Sequence, residues 1–171
     1  MTEPQVDASD FAGIYDRFFP KVYNYVRYRV GDAEAADDVV SRIFEKALDR
    51  LGSYDPDRAP FDAWLFAIAR NAVVDHFRGR RLGQMSLEEG MEPAGLEPPA
   101  QDALELEEFR HELLDALRRL DDRERELLAL KFGAGMKSRD IAAHTGLGES
   151  HVGVILFRAV KKLQVGLKVE P

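Results

Sequence analysis

The sequence predicts an all-α protein: two small helical domains joined by a flexible acidic linker, the second domain containing a helix-turn-helix. Three observations predict it. Apolar residues recur at helical spacing from Phe11 to Leu163, with no alternating run that reads as a strand. Residues 82–103 carry Pro93, Pro98 and Pro99 together with three glycines and few large apolar groups, the composition of a linker. The stretch Ser138–Leu163 reads as two short helices around a tight turn, the form of a helix-turn-helix with its recognition helix last.

In chain order, Asp10 is a candidate N-cap. Phe11, Ile14, Phe18, Val22 and Tyr25 then step by 3 or 4, so residues 10–30 read as a first long helix that Pro20 is expected to kink or split. Gly31 ends it and Asp32 caps the next. Ala36, Val40, Ile43, Ala47 and Leu51 form the apolar stripe of a second helix. Its other face, with Asp37, Asp38, Ser41, Arg42 and Glu45, reads by itself as a solvated polar surface. Residues 52–60, GSYDPDRAP, have the turn chemistry of an ordered loop with Tyr54 as its aromatic residue. A third helix faces inward with Phe61, Trp64, Leu65, Ile68, Ala72 and Val73. Its outer and final turns carry Arg70, Asn71, Asp75, His76, Arg78, Arg80 and Arg81, more cationic groups than a helix dipole requires. Arg and Asn are the residues that pair with phosphates and base edges.

After the linker, Phe109, Leu113, Leu117 and Leu120 mark a helix, and Asp121 with Glu124 forms a candidate capping box that opens DDRERELLALKF, ending at Gly133. In the helix-turn-helix, Ser138 is a candidate cap, Ile141 and Ala142 form the inner side, and Gly146 sits where the helix must end with positive φ. The last helix places Val152, Ile155, Leu156, Ala159 and Leu163 on one face and His151, Val154, Arg158 and Lys161 on the other. From Glu149 onward the only other acid is Glu170, so this helix is locally basic. A hairpin that merely packs needs no acid-free basic face, which favours DNA binding. Residues 164–171 read as a short tail with no evident role.

A net charge of −7 is unusual for a nucleic-acid binder until it is mapped. Residues 82–108 hold eight acids and no base, and the remainder of the chain is at +1. The acidity is segregated, so overall charge says little about the flanking domains. With 45% apolar residues the chain can bury a core, and with 32% charged residues it is expected to be soluble. No cysteine is present, which excludes disulfides and thiolate-bound zinc and suits a reducing cytosol. The N-terminal MTEPQVDASD lacks the pattern of a signal peptide, and the apolar run 63–69 is too short to span a bilayer, so a cytoplasmic protein without membrane insertion is expected. The four histidines are scattered without metal-ligand spacing, and no Gly-rich phosphate loop appears; the expectation is no enzyme, no cofactor and no small-molecule substrate.

From about Phe11 to Leu163 the arrangement resembles the extracytoplasmic-function sigma factors, the two-domain specificity subunits of bacterial RNA polymerase. AEAADDVVSRIFEKAL is similar to the family's polymerase-clamp helix, FDAWLFAIARNAVVDHFRGRR to its melting and minus-ten helix, and LDDRERELLALKF with the helix-turn-helix to its minus-thirty-five domain. The resemblance implies a core-polymerase and minus-ten domain over residues 1–81, a linker over 82–103 and a minus-thirty-five domain over 104–171. It implies core RNA polymerase and promoter DNA as partners, and an anti-sigma factor that covers these faces.

Residue by residue, the resemblance assigns Asp37, Asp38, Arg42 and Glu45 to the polymerase clamp. Tyr54, Asp55, Asn71 and Asp75 would hold an unstacked base, with Arg78, Arg80 and Arg81 on the phosphates. Ser150, His151, Val154, Arg158 and Lys161 would enter the major groove upstream. The chain departs from the family at Ser41-Arg42, where Gln and an acid are usual, and at Gly153-Val154-Ile155, where the family carries a Lys-Ser-Arg run. Two other readings use the same residues. In one, residues 104–163 act as a free-standing regulator of duplex DNA, with residues 33–81 as a dimerisation or sensor domain. In the other, a sigma-like adaptor sequesters a partner, which the depleted recognition helix motivates.

Overall fold

The computed structural model describes residues 10–83 and 101–167. Among these residues every regular element is helical. The helix α1 (Phe11–Val30) starts where the Asp10 carboxylate accepts the Gly13 N–H at 2.9 Å. Pro20 neither splits it nor ends it: α1 runs 20 residues through it. The end comes at Gly31, whose φ of 80° only glycine adopts at little cost, and Asp32 at once caps α2 (Ala33–Arg50) by accepting the Ala35 N–H at 2.7 Å. A short 3₁₀ turn, Leu51–Ser53, and the loop to Pro60 lead into α3 (Phe61–Gly83).

The three helices bury Ile14, Val22, Val26, Ala36, Ile43, Leu65, Phe66 and Val73 between them. Trp64, expected to face inward, is only half-buried, and Phe66 takes the deeper position. The linker expected over 82–103 lies for the most part outside the described residues. At its ends α3 reaches Gly83 and α4 (Gln101–Arg118) begins at Gln101.

The C-terminal half forms a second bundle. Of the apolar residues that mark α4, Phe109 is 48% exposed, and Leu117 and Leu120 are buried. The capping box is present: Asp121 accepts the Glu124 N–H at 2.8 Å, and Glu124 accepts the Asp121 N–H at 3.2 Å, opening α5 (Asp122–Leu128). Arg125 reaches back to the carbonyls of Leu117, Arg118 and Leu120, each at 2.9 Å, closing the C-terminal end of α4. A π turn over Ala129–Gly133 follows. The next helix, α6 (Ser138–Thr145), is capped at Lys137 with no side-chain bond, so Ser138 is its first residue and not its cap. Gly146, at φ 74°, ends it as expected. The last helix, α7 (Glu149–Gly166), continues past Leu163 into the stretch expected to be tail.

Helical periodicity predicts two bundles but says nothing of a contact between them, and the structure shows an extensive one. Arg29 of α1, only 4% exposed, holds its Nη1 at 2.8 Å from Asp122 Oδ1 and its Nε at 2.7 Å from Glu126 Oε2. The Tyr25 hydroxyl donates to the other Glu126 oxygen at 2.9 Å. Burial works against the Arg29 charge, but Glu126 and Asp122 outweigh it and keep the guanidinium protonated. The π turn lies directly on α1. A Cβ on Gly133 would come within 2.9 Å of the Tyr25 backbone, so only glycine permits this approach.

Candidate nucleic-acid interface

The exposed face of α7 follows from which residues its own bundle takes. Val152, Ile155, Leu156 and Ala159 are buried, which leaves Ser150, His151, Val154, Arg158 and Lys161 outward, together as the spacing predicts. Ile155, where the resemblance places a polar position, is in the core. Gly153 has nothing within 4 Å of where its Cβ would be, so the chain backbone is bare at that point. One residue of this face escaped the sequence reading. Phe157 is 66% exposed at the edge of this face, and Lys161 Nζ sits 5.9 Å from its ring centre. Its position three residues after Val154, off the apolar stripe, was the available signal.

The second basic surface is the end of α3. Asn71, Asp75 and Arg78 share its outward side, with Arg80 and Arg81 in the final turns. Asp75 is already engaged, 3.5 Å from Lys46 Nζ of α2 and 3.9 Å from Arg78 Nη1. Tyr54 is half-buried: its hydroxyl donates to the Ala59 carbonyl at 3.1 Å and its ring packs on Phe61 and Trp64 at 5.2 and 5.3 Å. Asp55 accepts the Asp57 N–H at 3.0 Å, so the loop is held by its own side chains. Between α2 and α3 lies His76, whose Nε2 is buried without a hydrogen-bond partner. Burial, Arg80 and Arg42 lower its pKa from the usual imidazole range.

Asp37, Asp38, Arg42 and Glu45 are all exposed along one stripe of α2. Asp37 and Glu45 also rim a groove of about 440 Å³ between α1 and α2, which spacing alone did not reveal. Its floor and walls are Phe11, Tyr15, Phe19, Phe44 and Leu48, with the Tyr15 and Phe44 ring centres 4.6 Å apart. Tyr15 and Leu48 stay 39% and 51% exposed, an apolar surface edged by acids.

Comparison with known proteins finds two family matches along the chain. The sigma-70 region 2 family pattern matches residues 14–82, and the sigma-70 region 4 pattern matches residues 110–163. The chain is 34% identical over 158 residues to the ECF RNA polymerase sigma factor BldN of Streptomyces coelicolor, which covers 92% of this chain and 60% of that protein. It is 32% identical over 145 residues to the ECF RNA polymerase sigma factor RpoE of Cereibacter sphaeroides, covering 82% and 77%. In three dimensions it is similar to the sigma factor RpoE of Bartonella quintana, solved in complex with the anti-sigma factor NepR. That likeness has a TM-score of 0.75 at 26% identity, over 95% of this chain and 99% of the other. Two sigma-70 patterns in this order, on two bundles that each present a basic outward face, place the chain in the family of ECF RNA polymerase sigma factors.

Proposed function

We propose that this chain binds core RNA polymerase, directs it to two-part promoters and assists their opening, without itself making or breaking a bond. The observation that carries the proposal is that one chain presents two exposed basic faces, on α7 and on the end of α3, from separate bundles. A single-site regulator needs only one. The α7 face suits the major groove: it is one helix wide, cationic at Arg158 and Lys161, and apolar at Val154 where a thymine methyl would lie. The C-terminal end of α3, with Arg78, Arg80 and Arg81, suits the phosphates of an extruded single strand, whereas the Tyr54–Asp55 loop lies at the other end of α3, against Phe61 and Trp64, so the two would meet different nucleotides of that strand.

Asp37, Asp38, Arg42 and Glu45 on α2 are proposed to meet the polymerase clamp. The apolar groove beside them, edged by Asp37 and Glu45, fits an amphipathic helix with basic flanks. An anti-sigma partner would compete for the same surface, as the NepR complex of the Bartonella relative makes reasonable. No described helix is long and apolar enough to cross a membrane, and the site of action proposed is the cytoplasm, where the polymerase is.

The test is co-elution of the purified chain with bacterial core polymerase on size exclusion. Core binding is expected, and Asp38→Arg is expected to weaken it tenfold or more. Absence of binding by the folded chain, with strong sequence-specific binding by residues 104–163 alone, would instead establish a free-standing regulator.

A further inference from the structure

Where the two bundles meet, a pocket of about 180 Å³ opens between the C-terminal end of α1, the last turns of α3, α4 and the start of α5. Four of its lining residues are arginines: Arg29, Arg80, Arg118 and Arg125. Tyr28 and Phe77 add aromatic walls, and among the described residues no carboxylate lines it. The Arg118 guanidinium passes close over Gly31, where a Cβ would lie 3.3 Å from its Nε.

The arginines differ in how far their charge is already met. Arg29 is neutralised by Asp122 and Glu126, and Arg118 reaches Asp115 at 3.1 Å. The three bonds Arg125 makes are to carbonyls, which accept its N–H groups but leave its charge unpaired. Arg80 has no ion-pair partner among the described residues. Burial, then Arg29 and Arg118, lower the Arg125 pKa, against a smaller opposing effect of Asp122 and Asp121. Two of the four arginines, Arg80 and Arg125, therefore bring positive charge to the pocket without a carboxylate paired to it among the described residues.

The geometry points to a binding site for a small, multiply charged phosphate compound, a pyrophosphate or a nucleoside polyphosphate, at the junction of the two bundles. Guanidinium forks match phosphate oxygens bidentately, and convergence of several from different elements favours more than one negative charge. The space is that of roughly six water molecules, enough for one or two phosphate groups and far too small for a duplex. Tyr28 and Phe77 offer an apolar surface to the remainder of such a ligand. Because Arg80 belongs to the N-terminal bundle and Arg118 to the C-terminal one, the ligand bridges them and favours the closed arrangement. Binding itself does not rest on the promoter reading.

The experiment is calorimetric titration of the full chain with inorganic pyrophosphate, a nucleoside triphosphate and a short single-stranded oligonucleotide at fixed ionic strength. Arg80→Gln/Arg118→Gln removes the two most exposed arginines of the pocket. Arg58→Gln/Arg139→Gln, of the same charge, lies away from it and serves as control. One saturable site for pyrophosphate or the nucleotide is expected, weakened tenfold or more by the first pair and unchanged by the second, with circular dichroism confirming the fold. Equal loss in both pairs would reduce the effect to general charge and overturn the site. So would binding of the oligonucleotide alone, or no saturable binding of either phosphate compound.

Discussion

Phe157 illustrates what a single residue adds to the face of α7 proposed to bind upstream DNA. A large aromatic side chain left 66% exposed beside Lys161 does nothing for the core of its bundle, whose contacts come from Val152, Ile155, Leu156 and Ala159. On a helix proposed to enter the major groove it can lie against thymine methyls, as proposed for Val154, and so offset the absence of a Lys-Ser-Arg run at Gly153-Val154-Ile155. Phe157→Ala is therefore expected to leave thermal stability almost unchanged and to weaken upstream-element binding about tenfold, or about 1.4 kcal/mol. Fluorescence anisotropy with a duplex selected by the wild-type holoenzyme, alongside a melting curve, measures both. The sequence made His151, Val154, Arg158 and Lys161 legible, because charge and helical spacing are local properties. It did not make Phe157 legible, because an apolar residue declares its exposure only once its neighbours are in place.

At the scale of the element, the π turn over Ala129–Gly133 and the helix α1 depend on each other. The extra residue in the turn ends α5 and lays Gly133 against the backbone of Asn24 and Tyr25. Gly133→Ala places a methyl where backbone stands 2.9 Å away, and two main chains cannot yield as a flexible side chain can. The contact is expected to weaken by roughly 1–3 kcal/mol, the usual cost of overpacking, and the bundles to separate. Small-angle scattering would show it as an increase from a radius of gyration near 16 Å, the value for a compact chain of this size. An unchanged radius with Gly133→Ala would mean that the contact adjusts locally.

For the whole molecule, the closed arrangement and promoter reading are in tension. Minus-ten and minus-thirty-five elements lie about 25 base pairs apart, about 85 Å along the duplex at 3.4 Å per pair. On the proposed promoter reading, a chain with a radius of gyration near 16 Å does not cover both, so the bundles would part when both elements are read. The contact therefore sets an equilibrium, and its polar groups make that equilibrium depend on pH. His144 of α6 is half-buried with Nε2 unpartnered, facing Arg70 and Asp62 of α3. Burial first, and then Arg70, lower its pKa, with Asp62 opposing.

A base whose folded pKa is lowered binds fewer protons in the closed form than in the open one. His144 thus supports closure above the ordinary imidazole value near 6.5, and that support is lost as pH falls below it. Burial alone would raise the Asp122 carboxyl, but the Arg29 bond and the nearby arginines hold it low, so its contribution is lost only in the carboxylate range far below. Between pH 7.5 and 5.5 the radius of gyration is expected to rise in the wild type, and His144→Gln is expected to flatten that rise. His76 shifts in the same direction but lies within the N-terminal bundle, so it affects that bundle's stability and not the separation.

The sequence by itself determined the helices, their order and most of their ends. Gly31, Asp32, Asp121 with Glu124, and Gly146 act through dihedral preference and hydrogen bonds within a turn or two, and spacing settles which side of each helix is apolar. It also determined the two basic faces and the acidic stripe of α2 for the same reason. Only the tertiary structure decided that Arg29, Asp122, Glu126 and Tyr25 form one buried cluster, since Tyr25 and Glu126 are 101 residues apart. It alone gathered four arginines into a pocket and showed the groove of Phe11, Tyr15 and Phe44 beside Asp37. Such contacts depend on how two finished surfaces fit, and no periodicity within either surface encodes the other.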